Sequence, residues 1–439
     1  MELSLLKGLT LFNEGLVFYL IFPAILLLGL YLTVRLRFIQ ISKLGGSCRH
    51  LVQKQESETG ITHYQAVAAV LAGNFGTGNI SGMAVAVATG GAGALVWMWV
   101  MAFLGSTIQY ASCVLGAKHR TTNKKGQSVG GPMYYLPKKV GALYAFFAVV
   151  GALTVGNLTQ VNSIVLPLES LGVPPIVAGL AIALFVGIVL IGGVQRFAKT
   201  AASVVPIMAL LYFGTAVFIL GLHIDAVPRA FILMIQAAFS PTALFGGALG
   251  FGIIKTITTG FDRGIFATDA GTGLAPILQS GTGSQNPIVN GIVTLVTPMI
   301  VMIVCTATGL VLIVTGAYEG LERSTNMVTA AFSSGLGSNI GSYIVILALL
   351  LFSYTTILAW GSCAERAIEY LFQGNGARRF RFVYIAIVPL GALVDVQTVW
   401  LLADISITLM LATNMFGVAR LSHEVIHDSR QYFSKKVAV

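Results

Sequence analysis

Apolar residues run along this chain in long blocks, each closed by a short cluster of basic or turn-forming residues. Windows of about 20 residues, the length a helix needs to cross a bilayer, predict eleven spans. Their limits fall near 14–34, 64–89, 93–117, 141–166, 174–194, 200–222, 229–256, 286–315, 340–362, 382–398 and 400–420. The pattern predicts an all-α polytopic membrane protein. Two blocks are interrupted by residues that a lipid-buried helix should avoid. "LAGNFGTGNISG" (71–82) puts four glycines in the second block, and "AFSPTALFGGALG" (238–250) puts Pro241, Gly246 and Gly247 in the seventh. Glycine and proline weaken a helix interior, and in lipid every backbone group must find its partner within the protein. Both helices are expected to break at mid-membrane.

Composition agrees. Of 439 residues, 56% are hydrophobic and 10% charged, where a soluble chain carries about 25% charged residues. A net charge of +10 could serve nucleic acid, but its placement argues otherwise. With the N-terminus outside and the C-terminus in the cytoplasm, cytoplasmic segments receive all but Lys7, Arg229 and Arg323 of the 26 basic residues. Lys255 and Arg263 count among the cytoplasmic ones. The positive charge is topology, and no nucleic-acid partner is expected. Cys48, Cys113, Cys305 and Cys363 lie far apart and suggest neither a disulfide framework nor a metal pair. The first block lacks the flanks of a cleaved signal and is expected to remain as a helix.

Setting the first span aside leaves ten, which divide as five and five. An odd number makes the second set enter from the opposite side, the signature of an inverted repeat. The expected divisions are an N-terminal helix and loop (1–60), two five-helix repeats (61–225 and 226–421) and a tail (422–439). The interrupted helices then occupy equivalent places, which points to a binding site at the midplane. A broken helix offers N–H groups that suit a carboxylate and carbonyls that suit a small cation. Gly76 and Gly78 would supply the backbone freedom, and Asn79 would cap the restarting half or face the ligand. Gly78 and Gly82 alone would also suit close helix packing; the paired break in the second half favours a site.

Two further helices carry polar faces. "GNLTQVNS" (156–163) aligns Gly156, Gln160 and Ser163, and "FSYTTILAW" (352–360) aligns Ser353, Thr356 and Trp360, with Thr355 adjacent. Their hydroxyls either bond back to their own helix or complete an oxygen cage for a hard cation. Asp404 lies inside the last span, where an acid is a functional candidate. Asp262, Arg263 and Asp269 follow the second interrupted helix and are expected as gate or loop contacts on the cytoplasmic side. Glu365 and Arg366 offer a gate ion pair or a solvated one. "SHEVIH" (422–427) matches H-E-x-x-H through His423, Glu424 and His427, but no third ligand follows. The glycine-rich run at 271–285 lacks a phosphate-binding lysine, so no ATP-driven pump is indicated.

"GTGNISG", "GGAGALVWMWVMAFLGSTIQYA", "GGPMYYL", "GNLTQVNS", "RGIFATDAGTGLAPI", "CTATGLV", "FSYTTILAWGSCAERAIEYL" and "VWLLADI" occur in order along the chain. Together they resemble the alanine/glycine:cation symporter family of prokaryotes, over about 60–435. The resemblance implies a leucine-transporter-like 5+5 inverted-repeat fold in a bacterial inner membrane. It implies uptake of small neutral amino acids with sodium as coupling ion, with no enzyme activity and no other cofactor. Residue by residue, it implies that the substrate is held by Gly76, Thr77, Gly78 and Asn79, in a pocket shaped by Gln160, Phe245 and Trp360. Sodium would sit at Ala72, Phe75, Thr355 and Thr356. Departures from the family's pattern fall at 267–274, at Ala248, where an aromatic is usual, and at Ile300, where an acid is usual. The other readings are a passive channel for small solutes and a membrane metalloprotease built on His423, Glu424 and His427.

Overall fold

The computed structural model describes residues 2–52, 62–124, 126–239, 252–280, 286–320 and 324–437. The chain begins with α1 (Leu6–Arg35). One interrupted helix follows as α2 (His63–Asn74) and α3 (Ser81–Gly90). Next come α4 (Ala94–Lys118), α5 (Lys138–Ser170), α6 (Pro175–Leu190) and α7 (Gly193–Leu222). α8 (Val227–Phe239) and α9 (Ile253–Thr268) stand on either side of the second predicted break. α10 (Leu274–Gln279), α11 (Pro287–Val314), α12 (Ser324–Leu336) and α13 (Ile340–Leu371) follow. The chain then forms α14 (Ala377–Ile387), α15 (Val396–Arg420) and α16 (Ser422–Val437). Among the described residues, seven helices (α1, α4, α5, α7, α11, α13 and α15) are long and apolar enough to cross a membrane, and shorter apolar helices stand among them.

Local chemistry sets several helix starts. Thr62 and Gln65 form a reciprocal capping box at the head of α2. Asn286 and Asp395 cap α11 and α15 through Ile288 N and Thr398 N. Packing then sorts the helices. α13 is buried through its middle and packs on α2, α5 and α7, while α4 packs on α9 and α11. α6 and α7 instead turn Leu180, Leu184, Phe185, Leu210 and Phe218 outward. An apolar belt of this size suits lipid. The C-terminal ends of α1, α4 and α15 gather at one end of the bundle, where Arg430 of α16 reaches Arg35 O and Asp428 meets Lys118. That end is the basic face.

The structure revises the sequence reading in three places. α9 runs to Thr268, well past the limit near 256, because Thr256, Thr258, Thr259 and Arg263 are buried against protein, not lipid. Hydropathy reads such a stretch as loop. Lys255 and Arg263 therefore lie on a helix within the bundle, not in a cytoplasmic segment: Lys255 pairs with Glu14 of α1, and Arg263 with Asp404 of α15. α12 was not predicted, its apolar face being too short to read as a span. The tenth block forms α14 earlier, at Ala377–Ile387, followed by a 3-10 turn at Val388–Ala392. The second predicted break, with Pro241, Phe245, Gly246, Gly247 and Ala248, lies outside the described residues.

Candidate functional site

α2 ends at Asn74, and the Phe75 N–H closes its last turn on Leu71 O at 2.7 Å. Gly76 is extended, Thr77–Asn79 form one 3-10 turn, and α3 restarts at Ser81. Asn79 ties the break together. Its Nδ2 donates to Asn74 O (2.8 Å), its Oδ1 accepts from Cys305 Sγ (3.0 Å), and its carbonyl accepts from Thr308 Oγ1 (3.1 Å). The interruption is thus a built feature whose backbone groups find partners from neighbouring helices.

On one side of the break the Thr356 hydroxyl, carried by α13, lies 2.9 Å from Ala72 O and 3.1 Å from Phe75 O. One hydroxyl has one proton and can donate to only one carbonyl at a time. Three oxygens therefore converge with a single proton among them, an arrangement that a hard cation can take over. Thr355 points elsewhere. Its hydroxyl bonds back to Leu351 O and Phe352 O and faces Met208 Sδ at 3.6 Å. The structure brings Ala72, Phe75 and Thr356 together and leaves the Thr355 hydroxyl turned to α7.

On the other side of the break Gln160 of α5 accepts the Thr77 N–H at Oε1 (3.0 Å) and donates from Nε2 to Val155 O (2.9 Å). Val155 belongs to a π turn at Thr154–Leu158 that opens the carbonyl ladder of α5 at this depth. Gly156 sits in that turn because a Cβ there would collide with Trp360. The Trp360 indole is wholly buried, and its Nε1 has no partner among the described residues. Gly76 completes the cell: a Cβ on it would stand 3.0 Å from both Gln160 Oε1 and Thr356 Oγ1. On the site that the resemblance implies, Gly76→Ala should weaken sodium activation and substrate affinity together, read as parallel shifts in both half-saturation values. A shift in only one would place the two ligands apart.

The charged candidates regroup. Arg263 Nη2 lies 2.9 Å from Asp262 Oδ2 and also contacts Asp404, with Arg263 and Asp404 both buried. Asp269 is buried at the end of α9 in a left-handed conformation. Arg263 and Asp404 are interior residues with Asp262 partly buried beside them, while Asp269 lies in the turn between α9 and α10. Glu365 binds Arg381 through two bonds (2.6 and 2.7 Å), and Arg366 binds Glu369 at 3.1 Å, so Glu365 and Arg366 each take another partner. In α16, Glu424 and Asp428 both grip Lys118, at 2.9 and 2.8 Å, while His423 and His427 are exposed. Among the described residues no group of three His, Cys, Asp or Glu could hold a metal.

That grip titrates. The Lys118 hydrogen bond holds Glu424 below its ordinary value of 4.5. Partial burial opposes the same effect at Asp428, yet Lys118 and His427 hold it below 3.8. A depressed carboxylate stabilises the fold above its ordinary value, and the contribution is lost as pH falls through the depressed one. For pairs this exposed it amounts to about 0–1 kcal/mol. Protection of the α16 amides, taken relative to the intrinsic exchange rate at each pH, should fall as pH drops below 4.5, and Lys118→Met should show that lower protection already at neutral pH.

The sequence profile of the sodium:alanine symporter family matches residues 3–438. The chain belongs to the sodium:alanine symporter family. It is 35% identical to the sodium/alanine symporter AgcS of Methanococcus maripaludis, over 92% of each chain. It is 32% identical to a probable sodium/glutamine symporter, GlnT, of Bacillus subtilis, over 95% of this chain and 89% of that one. The fold is shared with the crystal structure of a manganese transporter from Eremococcus coleocola, at 13% identity and a TM-score of 0.53, over 79% and 76% of the two chains. This family member is a multi-pass membrane transporter and not an enzyme, which removes the metalloprotease reading of α16.

Three parts of the site were not singled out from the sequence. Cys305 and Thr308 of α11 bind Asn79 but look like ordinary small residues of a membrane helix. Ser81 and Thr325 bond at 2.6 Å, and Thr325 donates to Ser163 O, joining α3, α12 and α5. Phe266 and Trp400 stack at 4.8 Å, with Phe266 against Gly78 and Trp400 against Gly82. A signal for the last pair existed in Asp404: a membrane acid calls for a basic partner, and Arg263 precedes Phe266 by one helical turn.

Proposed function

We propose that this transporter takes up a small neutral amino acid together with sodium by alternating access, using the break between α2 and α3 for both. The observation that carries this reading is the convergence of Ala72 O, Phe75 O and Thr356 Oγ1 beside the Thr77 N–H held by Gln160. An oxygen corner for a cation and a donor group for a carboxylate meet in one buried cell. In this reading sodium takes Ala72, Phe75 and Thr356, and Thr355 joins by turning from its own helix. The substrate carboxylate takes the N–H groups of Gly76, Thr77 and Gly78, displacing Gln160, while Asn79 keeps the turn in shape. Trp360 bounds the side chain from α13.

Relatives named as a sodium/alanine symporter and a probable sodium/glutamine symporter support this chemistry. The bracing of the break by α5, α11 and α13 suits a carrier that holds its cargo shut, which disfavours a passive channel. The cytoplasmic membrane of a bacterium, with the N-terminus outside, fits the distribution of basic residues. Two repeats, 61–225 and 226–421, would rock about the shared site.

Uptake of a panel of labelled neutral amino acids into proteoliposomes, with and without a sodium gradient, tests the proposal. Alanine, glycine or a similarly small member should accumulate only with the gradient, and unlabelled substrate inside should accelerate entry of label. Accumulation indifferent to sodium, or entry without exchange, would overturn it.

A further inference from the structure

Away from the break, an apolar groove of about 500 Å³ runs between α1 and α15, with Leu20, Leu27, Tyr31, Ala412, Met415 and Phe416 in its walls. Leu20 stands at the midpoint of α1, and Ser422, at the head of α16, lines the opposite end. From Leu20 to Tyr31 a helix rises about 16 Å, roughly half of a bilayer's hydrocarbon core. Above Leu20 the first half of α1 packs on α15 and closes the space. Leu27 and Phe416 are exposed, so the groove is open along its flank. It is one leaflet deep and ends at the basic face.

The mouth of the groove carries charge of one sign. Arg35 ends α1 and places its guanidinium over the Tyr31 ring, 5.6 Å from the centroid. Arg430 of α16 reaches Arg35 O at 3.4 Å. Arg420 ends α15, next to Ala419, which also lines the groove. These three arginines are exposed, and none takes a carboxylate among the described residues. The acids of α16 are already engaged, since Glu424 and Asp428 both hold Lys118. Other arginines do find carboxylates: Arg366 pairs with Glu369 and Arg381 with Glu365.

We infer that this groove binds an anionic phospholipid from the leaflet at the basic face, the cytoplasmic one in the orientation set by the basic residues. One acyl chain lies between α1 and α15, and the phosphate sits among Arg35, Arg420 and Arg430. Above Tyr31 the walls offer only apolar side chains, and the Ser422 hydroxyl at the mouth is bonded to Ala419 O at 2.9 Å. A polar solute therefore gains nothing inside. A partner's membrane-crossing helix needs the full thickness of the core, and the groove stops halfway. A neutral lipid would fill the apolar part and leave the arginines to water. A phosphate matches the forked guanidinium donors, and basic clusters beside a membrane span favour acidic headgroups. The bound lipid joins α1, α15 and α16 where they meet.

Mass measurement of the intact full chain, delipidated in detergent and mixed with phosphatidylglycerol or phosphatidylcholine of the same acyl chains, tests it. Phosphatidylglycerol should fill one site per chain at least about tenfold more tightly than phosphatidylcholine. Arg35→Gln and Arg420→Gln should each weaken it about fivefold. Together they should erase the preference, with the lipid-free melting temperature unchanged. Ala24→Phe, which fills the groove and keeps every charge, should weaken both lipids. Inorganic phosphate should not compete. Equal affinity for the two lipids would overturn the inference and leave the groove to ordinary boundary lipid. A preference that survives the paired arginine variant would overturn it too, by placing the headgroup elsewhere. Competition by inorganic phosphate, with Ala24→Phe binding as the wild type does, would make the arginines a soluble-anion site and overturn the lipid.

Discussion

Thr356→Val should raise the half-saturating sodium concentration at least about tenfold, equivalent to about 1.4 kcal/mol of affinity. Valine keeps the shape of threonine and removes only the hydroxyl that meets Ala72 O and Phe75 O. The cation would lose one ligand in a shell that the break cannot complete from its own carbonyls. Substrate affinity measured in sodium should fall too, because linkage makes the coupling between ion and substrate reciprocal. Thr355→Val should shift sodium activation less, since that hydroxyl bonds within α13 and must reorient before it can serve an ion. If both variants fold and keep wild-type sodium dependence, Thr356 is a contact between α13 and α2 and the ion sits elsewhere.

Arg263→Met should cost about 3–5 kcal/mol of stability, the usual penalty for leaving a buried charge without its partner. Here two carboxylates would be stranded, Asp262 and Asp404, the latter buried against α9. The rings of Phe266 and Trp400 would also lose the cation above them. Thermal denaturation in detergent, normalised to expression, should show a large fall in melting temperature. Adding Asp404→Leu should recover part of it, because the two residues act as a pair and their effects do not add. A single variant as stable as the wild type would show that the carboxylates are relieved without the guanidinium.

Helical class and the place of the first break were legible because lipid allows few alternatives. Gly76 and Gly78 inside an apolar block stand out wherever backbone must be satisfied internally. The polar faces of Gln160 and Thr356 were legible from helical spacing, and the structure brings both to the break. What spacing leaves open is rotamer. Thr355 and Thr356 are neighbours in sequence, yet 100° around a helix separates one that faces α2 from one that faces Met208. Burial against protein was the other blind spot. Hydropathy measures preference for lipid, so α9, whose threonines and Arg263 pack among other helices, read as a loop after 256. That error hid the partner of Asp404.

The central claim, that sodium and an amino acid share one break and move together, is tested most directly by running the cycle from the substrate side. Proteoliposomes equilibrated with equal labelled sodium on both faces, and clamped at zero potential, receive an inward alanine gradient. Labelled sodium should accumulate inside against no gradient of its own, in fixed proportion to the alanine that enters. Alanine entry with no net movement of sodium would contradict the account.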